Sequence, residues 1–146
     1  MHTRQMTAPL ELGRDNVIHF GDDLAAAPVP IDPSFWTHEG PGQPELAVGR
    51  ILGVSDYTAT GSWWERHPVG DELVFLLSGQ VDFLLSDDNC LETVVLAPGQ
   101  AAVVPAGTWH RAVIRVPSRL LFVTPTPART ELRDVTPSEA LLTSGE

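Results

Sequence analysis

The sequence predicts a single all-β domain, and three features carry that expectation. Proline and glycine are abundant, 13 and 12 of 146 residues, which divides the chain into short elements joined by tight turns. From Glu45 onward, apolar runs of strand length recur between turn residues. Several of these runs alternate with a period of two, as a sheet with one buried face requires. The length suits one core, since domains commonly fall near ~100–150 residues, and no internal repeat or second domain is visible.

Taken in order, residues 1–44 read as an N-terminal arm of the same domain. Pro28, Pro30, Pro33, Pro41 and Pro44 leave room there for one or two edge strands, with Val17-Ile18-His19-Phe20 the main apolar run. Residues 45–126 carry the strand-like runs Leu46–Val54, Leu73–Leu77, Val81–Leu85, Leu91–Leu96, Ala101–Val104, Ala112–Val116 and Leu120–Thr124. Val81, Phe83 and Leu85 share one face. Ala112, Ile114 and Val116 share another, which places His110 on the buried side. Ser86-Asp87-Asp88-Asn89 reads as a hairpin turn, because Asp and Asn tolerate left-handed backbone. Residues 127–146 form a polar tail in which Pro137–Leu142 would make at most a short helix.

Charge excludes one class of partner. Nineteen acidic residues face nine arginines and no lysine, a formal net charge of −10, so a phosphate backbone would be repelled and nucleic acid is not expected. No apolar stretch approaches the ~20 residues that span a bilayer, and the first residues lack the apolar core of a secretory signal. Cys90 stands alone, which rules out an internal disulfide framework and fits a reducing compartment; with no base beside it in sequence it reads as a bystander thiol. The expectation is a cytoplasmic protein with no membrane partner.

Two segments combine potential ligands with structural glycines and prolines. The first runs from Gly61 through Trp63, Glu65, His67 and Glu72 to Gly79. In an extended strand, residues two apart point the same way, so Trp63, Glu65 and His67 share a face. The turn Pro68-Val69-Gly70-Asp71 brings Glu72 back beside His67, and Val74 and Leu76 continue the inward row. The second runs from Gly99 through Pro105 and Gly107, a tight turn, to His110. Two imidazoles and one or two carboxylates thus converge on one point.

These segments resemble the two motifs of the cupin family. Gly99, Pro105, Gly107 and His110 meet the pattern Gly-x5-Pro-x-Gly-x2-His, while Ile114 stands where that motif ends in Asn. In the first motif the best register sets Glu65 where the family has its first His and His67 at the second, followed by Glu72 and Gly79. A rival register, with His67 first and Val69 as the lost second His, leaves too few residues before Glu72. The resemblance spans roughly residues 45–125. It implies a double-stranded β-helix, the jelly-roll barrel, with a site inside one mouth and a homodimer as its usual assembly.

The trio His67, Glu72 and His110 is expected to hold a divalent transition metal, and two imidazoles with a carboxylate suit Fe, Mn, Ni or Zn without selecting among them. Glu65 has three readings: a fourth ligand, an unligated general base, or the partner of an arginine in a salt bridge. Trp63 is expected to wall a substrate pocket, whereas Trp64 and Trp109 face away into packing or an interface. His2 and His19 read as solvated, and Trp36 and His38 as candidates to cap the barrel mouth. Arg50, Arg66, Arg111, Arg115 and Arg119 read as surface or salt-bridging groups, one of which would bind a carboxylate substrate if it turned inward.

The functional expectation is a metal-dependent enzyme, a dioxygenase or other oxygenase, or an isomerase, acting on a small organic acid or related metabolite. The alternative is a non-catalytic cupin that binds a sugar or metabolite with little or no metal. No Ser-His-Asp arrangement, phosphate-cradling loop or nucleotide fingerprint competes with either.

Overall fold

A computed structural model of the chain describes residues 9–36, 44–87, 90–126 and 130–144. Eight central strands make the barrel: β3 (Arg50–Tyr57), β4 (Trp63–Arg66), β5 (Glu72–Ser78), β6 (Val81–Asp87), β7 (Cys90–Leu96), β8 (Ala101–Val104), β9 (Trp109–Ile114) and β10 (Ser118–Pro125). They are preceded by β1 (Asn16–Phe20) and β2 (Ala26–Pro30) and followed by β11 (Glu131–Asp134) and α1 (Pro137–Ser144). One antiparallel sheet runs β2-β1-β3-β10-β5-β8 and the other β11-β4-β9-β6-β7. Successive central strands alternate between sheets except at the β6–β7 hairpin, which is the winding of a jelly roll. The all-β, double-stranded β-helix expectation holds.

The core lies between the two sheets and is built by alternation. On β5 the inward row is Glu72, Val74 and Leu76, all buried, while Leu73 and Phe75 are only half-buried. Val81 and Phe83 of β6, Leu96, Val104 and Leu120 close the same cluster. The arm has its own small core, in which Val17, Phe35, Leu46 and Ile51 pack under the β1–β2 hairpin. A third cluster lies outside the barrel, on the far face of the second sheet. There Trp64, Leu84 and Val113 are covered by Trp109 and Val135. The two outward tryptophans therefore pack beneath the C-terminal segment of their own chain.

Three expectations need correction. The run Leu46–Val54 is not one strand: Pro44–Ala47 forms a 3-10 turn, and Gly49, with φ of 84°, redirects the chain before β3 begins at Arg50. Gly49 also approaches β1 so closely that a Cβ there would fall 2.0 Å from the Phe20 carbonyl oxygen. The tail holds a strand as well as the expected helix, since β11 pairs with β4 along Glu131–Asp134. His19 is buried, not solvated; its Nε2 lies 2.7 Å from the Val48 carbonyl oxygen. His2, His38, Asp88 and Asn89 lie outside the described residues, although the register Asp87↔Cys90 ends the hairpin where the Ser86–Asn89 turn was expected.

Gly79, in the β5–β6 turn, and Gly99 share a φ near +90° but not a neighbourhood. A Cβ on Gly79 would lie 2.2 Å from Ser118 Oγ, whereas one on Gly99 meets nothing within 4 Å. Gly99→Ala is therefore expected to lower stability by about 1–2 kcal/mol through backbone strain alone. Gly79→Ala should lose more, about 3 kcal/mol or above, because the Ser118 hydroxyl and its bond from the Gln80 amide must also move. Urea denaturation of the two variants checks this, and equal losses would contradict it.

Candidate metal centre

The jelly-roll winding sets β4, the start of β5 and β9 around one end of the barrel. Glu65 on β4 pairs directly with His110 on β9, and His67 follows β4 by one residue. The two motif turns are tied together: the Gly107 amide donates to the His67 carbonyl at 2.8 Å, and the Ala106 amide to Asp71 Oδ1 at 2.8 Å. Gly70 and Gly107, with φ of 97° and 80°, supply the left-handed backbone that both turns need.

The four side chains that the sequence singled out do meet. One donor atom from each of Glu65, His67, Glu72 and His110 lies within 4.8 Å of the others. His67 Nε2 stands 3.1 Å from Glu65 Oε1 and 3.3 Å from Glu72 Oε2, and His110 Nε2 is 3.1 Å from Glu72 Oε1. His67, Glu72 and His110 are buried, while Glu65 is about one-third exposed on the cavity side. Phe83 stacks on the His110 ring at 5.8 Å between centroids and 17° between planes.

Both imidazoles are oriented from behind. His67 Nδ1 is 3.0 Å from Thr130 Oγ1, and His110 Nδ1 is 3.1 Å from the Thr108 carbonyl, which can only accept. Each ring thus turns Nε2 toward the carboxylates, the arrangement that backs metal-bound histidines. His110 Nε2 is buried and makes no aligned hydrogen bond, despite its short distance to Glu72. Metal bonds of ~2.0–2.2 Å place neighbouring donors ~3 Å apart, close to the 3.1, 3.3 and 3.1 Å of the three imidazole–carboxylate contacts. The residues present therefore fit a divalent cation.

Electrostatics favour the same end of the barrel for charge. Burial pulls the His67 imidazolium down, but contact with Glu65 and Glu72 outweighs it and raises the pKa to about 9. Burial would push Glu72 up, yet the imidazoles of His110 and His67 hold it at about 2. Tyr57 is driven to about 12, first by burial and then by the charges of Glu65 and Glu72, against a hydrogen bond with Ser55.

A cavity of about 340 Å³ opens from this cluster, lined by Tyr57, Trp63, Val74, Phe83, Ile114 and Phe122 among others. Trp63 also lines it and is half exposed. A family model described as "Cupin domain" matches residues 57–124. Residues 57–124 form a cupin domain. Among the curated proteins none matches the sequence.

Solved structures similar to the chain include peruvianin-I, a cysteine peptidase from Thevetia peruviana latex, at 18% identity and TM-score 0.50, covering 60% of this chain and 56% of that one. A cupin-2 domain containing protein from Shewanella frigidimarina NCIMB 400 matches at 17% identity and TM-score 0.44, over 52% of this chain and 70% of its own. Hydroquinone 1,2-dioxygenase from Sphingomonas sp. TTNP3 matches at 19% and 0.44, over 51% and 58%. This chain spans a little over half the length of peruvianin-I and of the dioxygenase. These likenesses concern the fold.

Several members of the cupin site were not found by reading the sequence. Tyr57 and Ser55 line the cavity from alternate positions of β3, a pattern that was visible but fell beyond the expected end of that strand. Thr124 stands 3.3 Å from His67 Nε2, and Thr130 comes from the tail, whose approach no local signal announces. Arg111 is buried, not a surface group. Its Nη2 donates to the Gly61 carbonyl at 2.9 Å and its guanidinium lies 5.7 Å from the Trp64 ring, outside the barrel.

Two outcomes follow for metal uptake by the metal-free protein. His67, charged up to about pH 9, must lose its proton to bind a cation, so uptake at pH 7 should release about one proton and apparent affinity should rise with pH until about 9. Calorimetry in buffers of different ionisation heat measures that release, and none at pH 7 would refute the assignment. Thr130→Val, which leaves His67 Nδ1 unanchored, should weaken metal binding by about 10–100-fold with the fold intact.

Proposed function

We propose that the chain is a metal-dependent enzyme acting on a small organic molecule held in the barrel cavity, with His67, Glu72 and His110 as ligands and Glu65 as the fourth. The observation that carries this reading is the convergence of four donors with the buried, unaligned Nε2 of His110 among them. When bound, a divalent ion would act as a Lewis acid toward a substrate oxygen and as the site for oxygenase or isomerase chemistry. The remaining work falls to the chain itself.

The inward rows of β5, β6 and β9 exclude water from the buried side of the cluster. The Thr108 carbonyl, which can only accept, holds His110 as the Nδ1–H tautomer, and Thr130 orients the His67 ring so that its Nε2 faces inward. Glu65 is the carboxylate open to the cavity, so where it is not a ligand it is placed to take a proton from a bound molecule and return it at another atom. Proton return is what an isomerase needs, and proton removal alone is what an oxygenase acting on a hydroxyl needs. Glu72, held ionised by its imidazole neighbours, is unsuited to that role.

A second reading has one observation in its favour. His67 already finds counter-charges in Glu65 and Glu72, so the cluster is electrostatically satisfied as an ion-paired group without a metal. In that case the protein is a metabolite-binding cupin. Metal content per chain, measured by elemental analysis on protein purified without chelator or histidine tag, separates the two.

The enzyme reading expects near-stoichiometric iron, manganese, nickel or zinc. His67→Ala, Glu72→Ala and His110→Ala should each lower metal content at least about tenfold while circular dichroism still shows a folded barrel. Glu65→Gln should retain metal more weakly and lose turnover. Full metal content in the three alanine variants would sink the proposed site.

A further inference from the structure

We infer that the outer face of the first sheet, the one ordered β2-β1-β3-β10-β5-β8, is where two copies of this chain dock, sheet against sheet about a two-fold axis. Such an interface neither needs nor excludes a metal inside the barrel.

An antiparallel sheet with a core on one side and water on the other alternates apolar with polar residues. This sheet does not. Glu72, Val74 and Leu76 of β5 turn inward, as does Leu120 of β10, yet the residues between them are apolar too. Residues directly opposite on paired strands share a face, so the register sets Pro28, Ile18, Leu52, Val123, Leu73 and Val103 in one row across the outer side of all six strands. Two residues further along, Val54, Leu121, Phe75 and Ala101 make a second row. Neither row contains a polar side chain. Along β3 the rows are flanked by charge, with Arg50 at one end and Asp56, 3.7 Å from Arg119, at the other.

Apolar sheet faces are costly to leave in water, and the chain covers one of its two. On the second sheet, Trp64, Leu84 and Val113 lie beneath Trp109 and Val135. The first sheet has no comparable cover among the described residues: Val103 is 58% exposed, and Leu77, next in the outward row of β5, is 40% exposed. Val54 is buried near the Asp56 end, where the segment before β1 arrives and the Leu12 carbonyl accepts from Arg119 Nη2 at 3.3 Å. Residues 1–8, the longest segment outside the described residues, bring only Met1, Met6 and Ala8 as apolar side chains, too few to cover two rows.

Size and charge select a second copy as the occupant. Six strands ~4.8 Å apart, and the rise of ~3.4 Å per residue from Leu73 to Leu77, give a patch of roughly 24 Å by 14 Å. That suits the apolar centre of a standard interface, in which each partner buries about 800 Å² with a polar rim around it. The chain carries a net charge of −10, so copies repel one another in most orientations. An uncharged face is where they can meet. A two-fold axis opposes the patch to itself, so no separate complementary surface is required. Facing sheets pack ~10 Å apart with their side chains interdigitated.

Sedimentation velocity on the full chain at about 1–100 µM tests this. A species of twice the 15.8 kDa chain mass is expected. Val103→Glu and Leu77→Glu should each weaken it at least about 100-fold, because the two-fold axis buries every introduced charge twice. Both side chains are exposed in the single chain, so circular dichroism should still show the barrel. Val95→Glu, equally exposed at 58% but on β7 of the other sheet, should leave the dimer intact. Raising sodium chloride from about 20 mM to about 500 mM should tighten the dimer by screening the acid excess, whereas a contact built from ion pairs would loosen. A monomer at every concentration, a dimer undiminished in both folded variants, equal dissociation by Val95→Glu, or loosening by salt would overturn the assignment of this face.

Discussion

The Glu72 carboxylate is the constraint around which the site is organised. It heads the inward row of β5, directly before Val74 and Leu76, and is buried to 6% exposure. An ionised carboxylate in that position is tolerable only beside compensating charge, since the cost of burying an unpaired one reaches several kcal/mol. Its two oxygens are met by His110 on one side and His67 on the other. Those imidazoles must be delivered from two different turns, and this explains why the turns are tied to each other by the Gly107–His67 and Ala106–Asp71 bonds.

This dependence gives the cluster two electrostatic states. Without a cation, His67 keeps its proton and serves as the counter-charge itself, so its stabilising contribution is full below its ordinary pKa of 6.5 and is lost as pH rises through about 9. Glu72 contributes above its ordinary 4.5 and loses that contribution only as pH falls through about 2. With a divalent ion in place, the metal takes over as counter-charge and His67 becomes neutral. The same side chains therefore suit an ion-paired core and a metal centre, and the Nε2 of His110, buried without an aligned partner, tips the balance toward the second.

Much of this was legible in the sequence, and for a physical reason. Alternation fixes which face a strand residue occupies, so Glu72, Val74 and Leu76, or His110 against Arg111, could be assigned to opposite sides from spacing alone. Turn chemistry marked Gly70 and Gly107, and both do adopt left-handed backbone. Glu65 pairs with His110 in the sheet. What stayed hidden depends on contacts distant in sequence. Arg111 read as an outward surface group, and outward it is, but that face proved to be buried once the C-terminal segment covered it, where Trp64 finds the packing expected of it. His19 looked solvated because nothing near it in sequence reveals the Val48 carbonyl that receives it.

The C-terminal segment, which the sequence presented as a polar tail, completes the site. The register of β4 with β9 is the single pair Glu65↔His110, whereas β11 pairs with β4 along all of Glu131–Asp134. The strand that carries Glu65 is thus paired with the tail over more residues than with the barrel. Side chains reinforce the attachment: Arg66 is paired with Glu131, and Arg133 lies over both Trp64 and Trp109 at 5.5 and 5.4 Å while pairing with Glu139 of α1. Thr130, just before β11, reaches His67 Nδ1 from the same segment. Loosening the tail would accordingly free Glu65 and the His67 ring together and leave Glu72 and His110, which stand on β5 and β9, in place. Ligand geometry at this cupin site is set from outside the barrel as much as from within it.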